Sequence, residues 1–160
     1  MTDIARNRIC YAIIATLLLI IAGMAYKFII AGSTERAEDD RLAVSLAPAE
    51  RALMLGEMRE FVSGLQAIAH ALSRDDMKAV AKASRALGSA RAHEVPAAMM
   101  GKLPLEFKTL ASGVHGEFDA IALDAETIAL SKRTLEQLSS ALQKCVACHA
   151  TYQVRSAVTQ

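Results

Sequence analysis

An uncharged apolar run near the N-terminus limits the fold of this chain more than any other feature. Residues 9–26 contain no charged side chain, and beyond Lys27 an apolar stretch continues over residues 28–32. About 20 apolar residues cross the hydrocarbon core of a bilayer as a helix, and the long stem of a lysine can reach the interface. The run therefore predicts a membrane anchor over residues 9–31, within an N-terminal segment 1–32.

The alternative to an anchor is a cleaved signal peptide, whose apolar part is typically about 7–15 residues long and ends at small residues. The present run is longer and is not closed by such a site, so we expect it to be retained. Arg6 and Arg8 precede the run, and Glu38, Asp39 and Asp40 follow it. The positive-inside rule then predicts a single-pass protein with a cytoplasmic N-terminus and with the residues after 32 outside the cytoplasm. We expect the membrane to be a bacterial inner membrane, with the soluble part facing the periplasm.

The composition of the chain favours helices. The 160 residues include only 8 glycines and 3 prolines, and the common residues are good helix formers. The 18 basic residues are matched by 17 acidic ones, which argues against a nucleic-acid partner. We therefore expect an all-α fold.

Four helices are predicted after a polar neck over residues 33–45. Apolar residues recur at three- and four-residue steps over residues 48–72, which is typical of a one-faced helix. Ser73 with Asp76 resembles a capping box and opens a second helix that reaches Leu87, just before Gly88. An irregular connection over residues 88–103 comes next.

Pro104 opens the third helix, which is expected to end in a turn at residues 127–131. The fourth helix carries a seam whose members are spaced three and four residues apart: Leu135, Leu138, Leu142, Cys145, His149 and Tyr152. Such spacing predicts one face turned to a core. Together the four helices predict an antiparallel four-helix bundle over residues 46–160, attached to one N-terminal transmembrane helix.

A Cys-x-x-Cys-His segment at residues 145–149 is the strongest chemical motif. On a helix with about 100° per residue, Cys145 and Cys148 lie about 60° apart and His149 about 40° from Cys145, so all three share one face. Two thiolates at this spacing can add to two vinyl groups of one porphyrin, and the adjacent imidazole is suited to ligate the iron. The motif predicts one covalently bound haem c with His149 as the proximal ligand.

Other interpretations of the motif fit less well. A structural zinc site needs two further Cys or His ligands at paired spacing, and the other histidines are isolated in the sequence. A thioredoxin-like redox motif needs a βαβ context, for which the pattern gives no support. Cys10 lies inside the apolar run and is expected to be a bystander.

The soluble part resembles the cytochrome c-prime family, the four-helix-bundle class II c-type cytochromes, and its methionine-ligated relatives. The resemblance covers about residues 45–156. It rests on a CxxCH that ends 11 residues before the last residue, on Tyr152 three residues after His149, and on Arg51 followed by Leu55. The chain departs from the family in its membrane anchor, which makes it a membrane-anchored variant and puts the family's dimer mode in question.

The resemblance implies the roles of several haem-contacting residues. Arg51 would approach a haem propionate, Leu55 would cover the distal side of the iron, and Tyr152 would belong to the haem site. The family usually has Arg or Lys directly after this aromatic residue, whereas this chain has Gln153.

The sixth iron position has two candidate neighbours. The register of the cytochrome c-prime family, counted from Arg51, would put Leu55 over the iron and would leave the sixth position open. Met58 lies one turn along the helix, about 60° from Leu55, and its thioether is a common sixth ligand. We adopt the open site and keep Met58 as the alternative. Met54 is expected to fill the core. Three histidines are expected not to ligate the iron: His70, His93 and His115.

These expectations predict an electron carrier and not an enzyme, because no nucleophile, general base or substrate pocket is evident in the sequence. Its partner would be a soluble redox protein or a respiratory membrane complex. Two alternatives stay open: a haem protein that binds nitric oxide or carbon monoxide as a trap or sensor, and an accessory subunit whose haem holds the bundle together. The sequence leaves homo-oligomerisation undecided.

Overall fold

The computed structural model describes residues 3–157, and the side chains of residues 7–91 and 95–157. Helix α1, Asp3–Ala25, continues as a π-helical segment, Tyr26–Ala31. Within the described residues, the 25-residue stretch Asn7–Ala31 is the one helix long and apolar enough to cross a membrane, and none of it is buried against the rest of the chain. The predicted N-terminal apolar helix is confirmed. Its length and composition alone fit both an anchor and a signal sequence.

Five further helices follow, and most of the chain is helical. Their bounds are α2, Pro48–Leu72; α3, Met77–Arg85; α4, Ala97–Met100; α5, Leu105–Thr127; and α6, Ser131–Thr151. The predicted first helix of the soluble part and the turn at residues 127–131 are confirmed.

The predicted start and end of α3 were wrong. Asp76 caps the helix, because its carboxylate accepts a hydrogen bond from the backbone N–H of Ala79 at 3.0 Å. Ser73 instead ends α2, and its hydroxyl donates to the carbonyl of His70. The helix stops at Arg85, so Leu87 lies beyond it. The connection predicted as irregular contains a 3₁₀ helix, Ser89–Glu94, in addition to α4.

A three-stranded sheet corrects the all-α prediction. Its strands are β1, Thr34–Arg36; β2, Leu42–Leu46; and β3, Tyr152–Ser156. The central strand β2 pairs antiparallel with β1 and parallel with β3. Residues 33–45 are therefore not a simple polar neck. Five residues of β2 are too few to show a strand period, and their parallel partner lies more than 100 residues away, so local pattern gives little sign of this pairing.

Two hydrophobic clusters fill the interior. Helix α3 packs against α2 and α5, and α5 packs against α6, whereas no extensive contact joins α2 to α6. The first cluster is built around Ile68, Val80, Phe118, Ile121 and Leu138. The second cluster joins the sheet to the helices and is built around Val44, Leu46, Met54, Phe107 and Tyr152.

The end of the apolar helix is tied to the start of α5. Lys108 Nζ donates to the carbonyls of Phe28 and Ile29 at 3.3 and 3.2 Å. The backbone N–H of Ser33 donates to the carbonyl of Lys102 at 2.7 Å. Gly32 makes the bend between them with a φ of 65°, a left-handed conformation that favours glycine. The apolar helix is thus bonded to the start of α5 and to the residues that lead into it, instead of joining the rest of the chain through a loose connection.

Candidate haem attachment site

The CxxCH segment forms the last turns of α6, at the border between the two clusters. Cys145 is half-buried and packs against the first cluster, whereas Cys148 is half-buried and packs against the second. Both are free thiols. Burial raises the pKa of each thiol, and the neighbouring Cys145 raises the pKa of Cys148 further. His149, on the same face, is exposed. The helix therefore presents two neutral thiols and one accessible imidazole together.

The predicted seam of α6 is only partly a core face. Leu138 and Tyr152 are buried as expected, but Leu135 is 55% exposed and Leu142 is 40% exposed. Tyr152 also lies outside the helix, as the first residue of β3. The buried residues of α6, such as Ala141, instead lie on a face about 60° around the helix axis from the predicted one.

As a result, α6 carries an exposed apolar stripe beside its histidine. Val146 is 69% exposed and, with Leu142 and His149, falls within an arc of about 60° on the helix surface. Exposed apolar patches on soluble domains commonly mark sites for ligands, cofactors or partners. The stripe supplies the kind of surface that the flat, apolar face of a porphyrin can cover.

Helix α2 carries a second apolar surface, an open groove. Its lining residues are Leu55, Met58, Arg59 and Val62. Their spacing of three, one and three residues puts them on one side of the helix. The two residues predicted over the iron, Leu55 and Met58, thus lie in one groove. Met58 also packs against the second cluster, the same cluster as Cys148 of the candidate attachment motif, the CxxCH segment at residues 145–149.

Tyr152 follows the last residue of α6 directly and packs in the core beside it. It is 4% exposed, its ring meets Phe107 edge-on with centroids 5.3 Å apart, and its hydroxyl donates to Glu106 Oε2 at 2.9 Å. Burial, and then the hydrogen bond to the Glu106 carboxylate, raises the pKa of Tyr152 to about 12. Tyr152 packs in the same cluster as Cys148, so it braces the attachment segment.

Other residues singled out in the sequence lie as follows. Arg51 is half-buried in the first turn of α2, one turn before Leu55. Met54 is buried in the second cluster, as expected of core filler. His70 is exposed near the end of α2. The side chain of His93 lies outside the described residues.

His115 is buried, which the sequence did not suggest. Its Nδ1 lies 2.7 Å from the carbonyl oxygen of Leu87, and its ring packs on Phe61 with centroids 5.2 Å apart. These contacts account for the position of this histidine as part of the helix packing.

Arg41, which sequence reasoning missed, touches the attachment motif. Its Nη1 donates to the carbonyl of His149 at 3.3 Å. Its Nε and Nη2 bind the Asp39 carboxylate at 2.8 and 2.7 Å, and Gln153 Nε2 donates to the same carboxylate at 2.9 Å. No local pattern announces a contact between residues 108 positions apart, so only the folded chain reveals it.

The donor set suits haem c. Among the side chains of residues 7–91 and 95–157, no three or more His, Cys, Asp or Glu converge as a metal cluster would require. Covalent haem makes a different demand: two thiols one turn apart, one imidazole able to reach the iron, and apolar surface to cover the ring. Cys145, Cys148, His149 and the flanking apolar stripe meet that demand.

Comparison of the chain with protein-family models, with curated proteins and with solved structures finds no match. The resemblance to the cytochrome c-prime family therefore stays a prediction. It depends on the residues described above.

Proposed function

We propose that the chain is a membrane-tethered monohaem c-type cytochrome that carries electrons. The observation that supports this most is the CxxCH segment on one face of the last turns of α6. Cys145 and Cys148 would hold the porphyrin through thioether bonds, and His149 would hold the iron. The bound haem c would supply reversible one-electron exchange between ferric and ferrous iron.

The protein's own contribution to this function is attachment, orientation and exclusion of water. The two half-buried thiols would fix one porphyrin edge between the two core clusters. Leu142 and Val146 of α6, and the groove of α2, would cover apolar parts of the ring. An apolar surround limits solvent access and so tunes the reduction potential of a bound iron.

We infer that α2, α3, α5 and α6 correspond to the four-helix bundle of the cytochrome c-prime family, with the sheet as an addition. The packing order of α2 on α3, α3 on α5 and α5 on α6 supports this interpretation. Met58 of α2 and Cys148 of α6 pack against the same cluster although no extensive contact joins the two helices, which supports a haem-binding crevice bordered by α2 and α6.

The sixth iron position can be tested with two groove variants. The family register favours Leu55 and an open, five-coordinate iron, which would also suit the binding of nitric oxide or carbon monoxide. The cluster shared by Met58 and Cys148 favours Met58. A high-spin ferric spectrum unchanged in Met58→Ala would support the open site. A low-spin spectrum with the weak long-wavelength band of methionine ligation, lost in Met58→Ala and kept in Leu55→Ala, would contradict it.

We further propose that the anchor keeps the haem at the periplasmic face of a bacterial inner membrane, near a redox protein or a respiratory complex. The single apolar helix and its bonds to α5 support a retained anchor. Carbonate-washed membranes should retain the protein with residues 1–32 present. A mature N-terminus near Gly32 would contradict this part of the proposal.

Electron transfer itself is tested by redox titration of the full chain in detergent. One haem per chain should titrate as a single reversible one-electron transition. A haem whose ferrous form binds carbon monoxide readily, and which exchanges electrons only slowly with the redox mediators, would favour the gas-binding alternative. A haem that does neither, and whose loss unfolds the helices, would favour the accessory-subunit alternative.

A further inference from the structure

The hairpin between the anchor and α2 reaches the attachment motif through one side chain. Arg41 lies at the end of the β1–β2 turn, directly before Leu42, which pairs with Tyr152 across the sheet. Its guanidinium donates to the carbonyl of His149. That carbonyl belongs to the last turn of α6, where helix carbonyls lack intrahelical partners and carry partial negative charge.

Arg41 is held in this position by Asp39. The Asp39 Oδ2 accepts a hydrogen bond from Arg41 Nε at 2.8 Å and forms an ion pair with Arg41 Nη2 at 2.7 Å, and the other carboxylate oxygen of Asp39 accepts a hydrogen bond from Gln153 of β3. The hydrogen bond from the Arg41 guanidinium lowers the pKa of the Asp39 carboxyl below its ordinary value, so this carboxylate is ionised at neutral pH. The result is an oriented cation at the backbone of the proposed iron ligand, paired with the Asp39 carboxylate.

We propose that Arg41 is a positioning residue for the proximal histidine, holding the His149 carbonyl and raising the reduction potential of the haem that His149 would ligate. This inference rests on the proposed function. Reduction adds an electron to the iron, so a nearby cation favours the ferrous form and a nearby anion favours the ferric form. Arg41 and Asp39 should therefore act on the potential in opposite directions.

The test is a set of four variants of the full haem-loaded chain, measured by spectroelectrochemical titration. Arg41→Gln leaves Asp39 uncompensated and should lower the potential, whereas Asp39→Asn leaves Arg41 uncompensated and should raise it. The matched controls are Arg36→Gln and Asp40→Asn, which make the same charge changes in an exposed ion pair of the same hairpin. Arg36 is on β1, two strand spacings or about 10 Å from β3, a distance at which exposed charges are largely screened in salt. The controls should leave the potential close to that of the wild type.

A second readout follows the backbone and not the iron. Amide hydrogen exchange in a peptide covering residues 146–153 should be faster in Arg41→Gln than in Arg36→Gln, because only the former frees the His149 carbonyl. If Arg41→Gln folds poorly, Asp39→Asn keeps the cation and still tests the sign of the potential shift.

Two failures can be told apart. A wild-type chain without covalent haem contradicts the proposed function itself. A wild-type chain with haem, in which Arg41→Gln and Asp39→Asn shift the potential no more than their controls do, overturns the role of Arg41 alone. Shifts of the same sign in these two variants would overturn it as well.

Discussion

Replacing Tyr152 with Phe removes a single hydroxyl from a residue that packs in the same cluster as Cys148. The ring would keep its contact with Phe107, while the hydrogen bond to Glu106 would be lost. Hydrogen bonds to ionised groups contribute about 1.5–3 kcal/mol when both partners are buried. Glu106 is exposed and can bind water instead, so we expect a smaller loss, about 1 kcal/mol in the free energy of unfolding at neutral pH.

The same hydroxyl makes stability fall in alkali. The folded-state pKa of Tyr152 is about 12, against 10.0 for an ordinary tyrosine. A raised pKa stabilises the fold fully below pH 10, and this contribution is lost as pH rises toward the folded-state value. At pH 11 the wild type should have lost about 1 kcal/mol through this residue. Tyr152→Phe escapes that loss, so the difference between the two proteins should nearly vanish there.

The assay is urea unfolding of the full chain in detergent micelles, followed by far-ultraviolet circular dichroism at pH 7.5 and pH 11. Tyr26→Phe is the matched control, since Tyr26 is 63% exposed at the end of the apolar helix and its substitution should leave both unfolding curves unchanged. The reasoning is refuted if Tyr152→Phe matches Tyr26→Phe at pH 7.5. A deficit that is equally large at both pH values would refute the alkaline part.

Two further substitutions test the core and the connection between the apolar helix and the residues before α5. Phe118→Ala should lower the free energy of unfolding, measured by thermal denaturation, by about 3–5 kcal/mol, because Phe118 is 1% exposed. Leu123→Ala on the same helix should lower it by less than about 0.5 kcal/mol, since Leu123 is 56% exposed. Equal losses in the two variants would contradict the assigned core face. Gly32→Ala should loosen the bend after the apolar helix, because an added Cβ would lie 2.5 Å from the carbonyl oxygen of Lys102. The backbone of Gly32, with φ 65° and ψ −159°, adds a cost of about 1–3 kcal/mol for any other residue. Gly23→Ala, where an added Cβ meets nothing within 4 Å, is its control. Faster proteolysis between residues 31 and 34 in the Gly32 variant alone is the expected result.

The helices were largely predictable because their signals are local. The three- and four-residue spacing of apolar side chains predicted the bounds of α2. The turn between α5 and α6 was placed correctly at residues 127–131, although no strong helix breaker lies there. Ser73 misled because serine and aspartate are both good caps, and only the observed hydrogen bond to Ala79 identifies Asp76 as the one used.

The sheet and the Arg41 contact were not predictable in the same way. Parallel pairing of β2 with β3 joins segments separated by the whole helical part, and pairs such as Val44 with Val154 leave no trace in local periodicity. The seam of α6 failed for a related reason. A heptad pattern identifies which residues share a face, but Leu135 and Leu142 could be assigned to a core only by knowing which helix covers them.

The central claim is covalent haem on Cys145 and Cys148, and its most direct test is haem retention after acid–acetone extraction and denaturing electrophoresis. The wild type should keep one haem per chain, seen as in-gel peroxidase staining and as a mass increase of one haem. Cys10→Ser is the matched control and should keep it too, because Cys10 lies on the apolar helix. The double variant Cys145→Ser, Cys148→Ser should lose the covalent haem. Extraction of all haem from the wild type, or haem that stays attached in the double variant, would contradict the account.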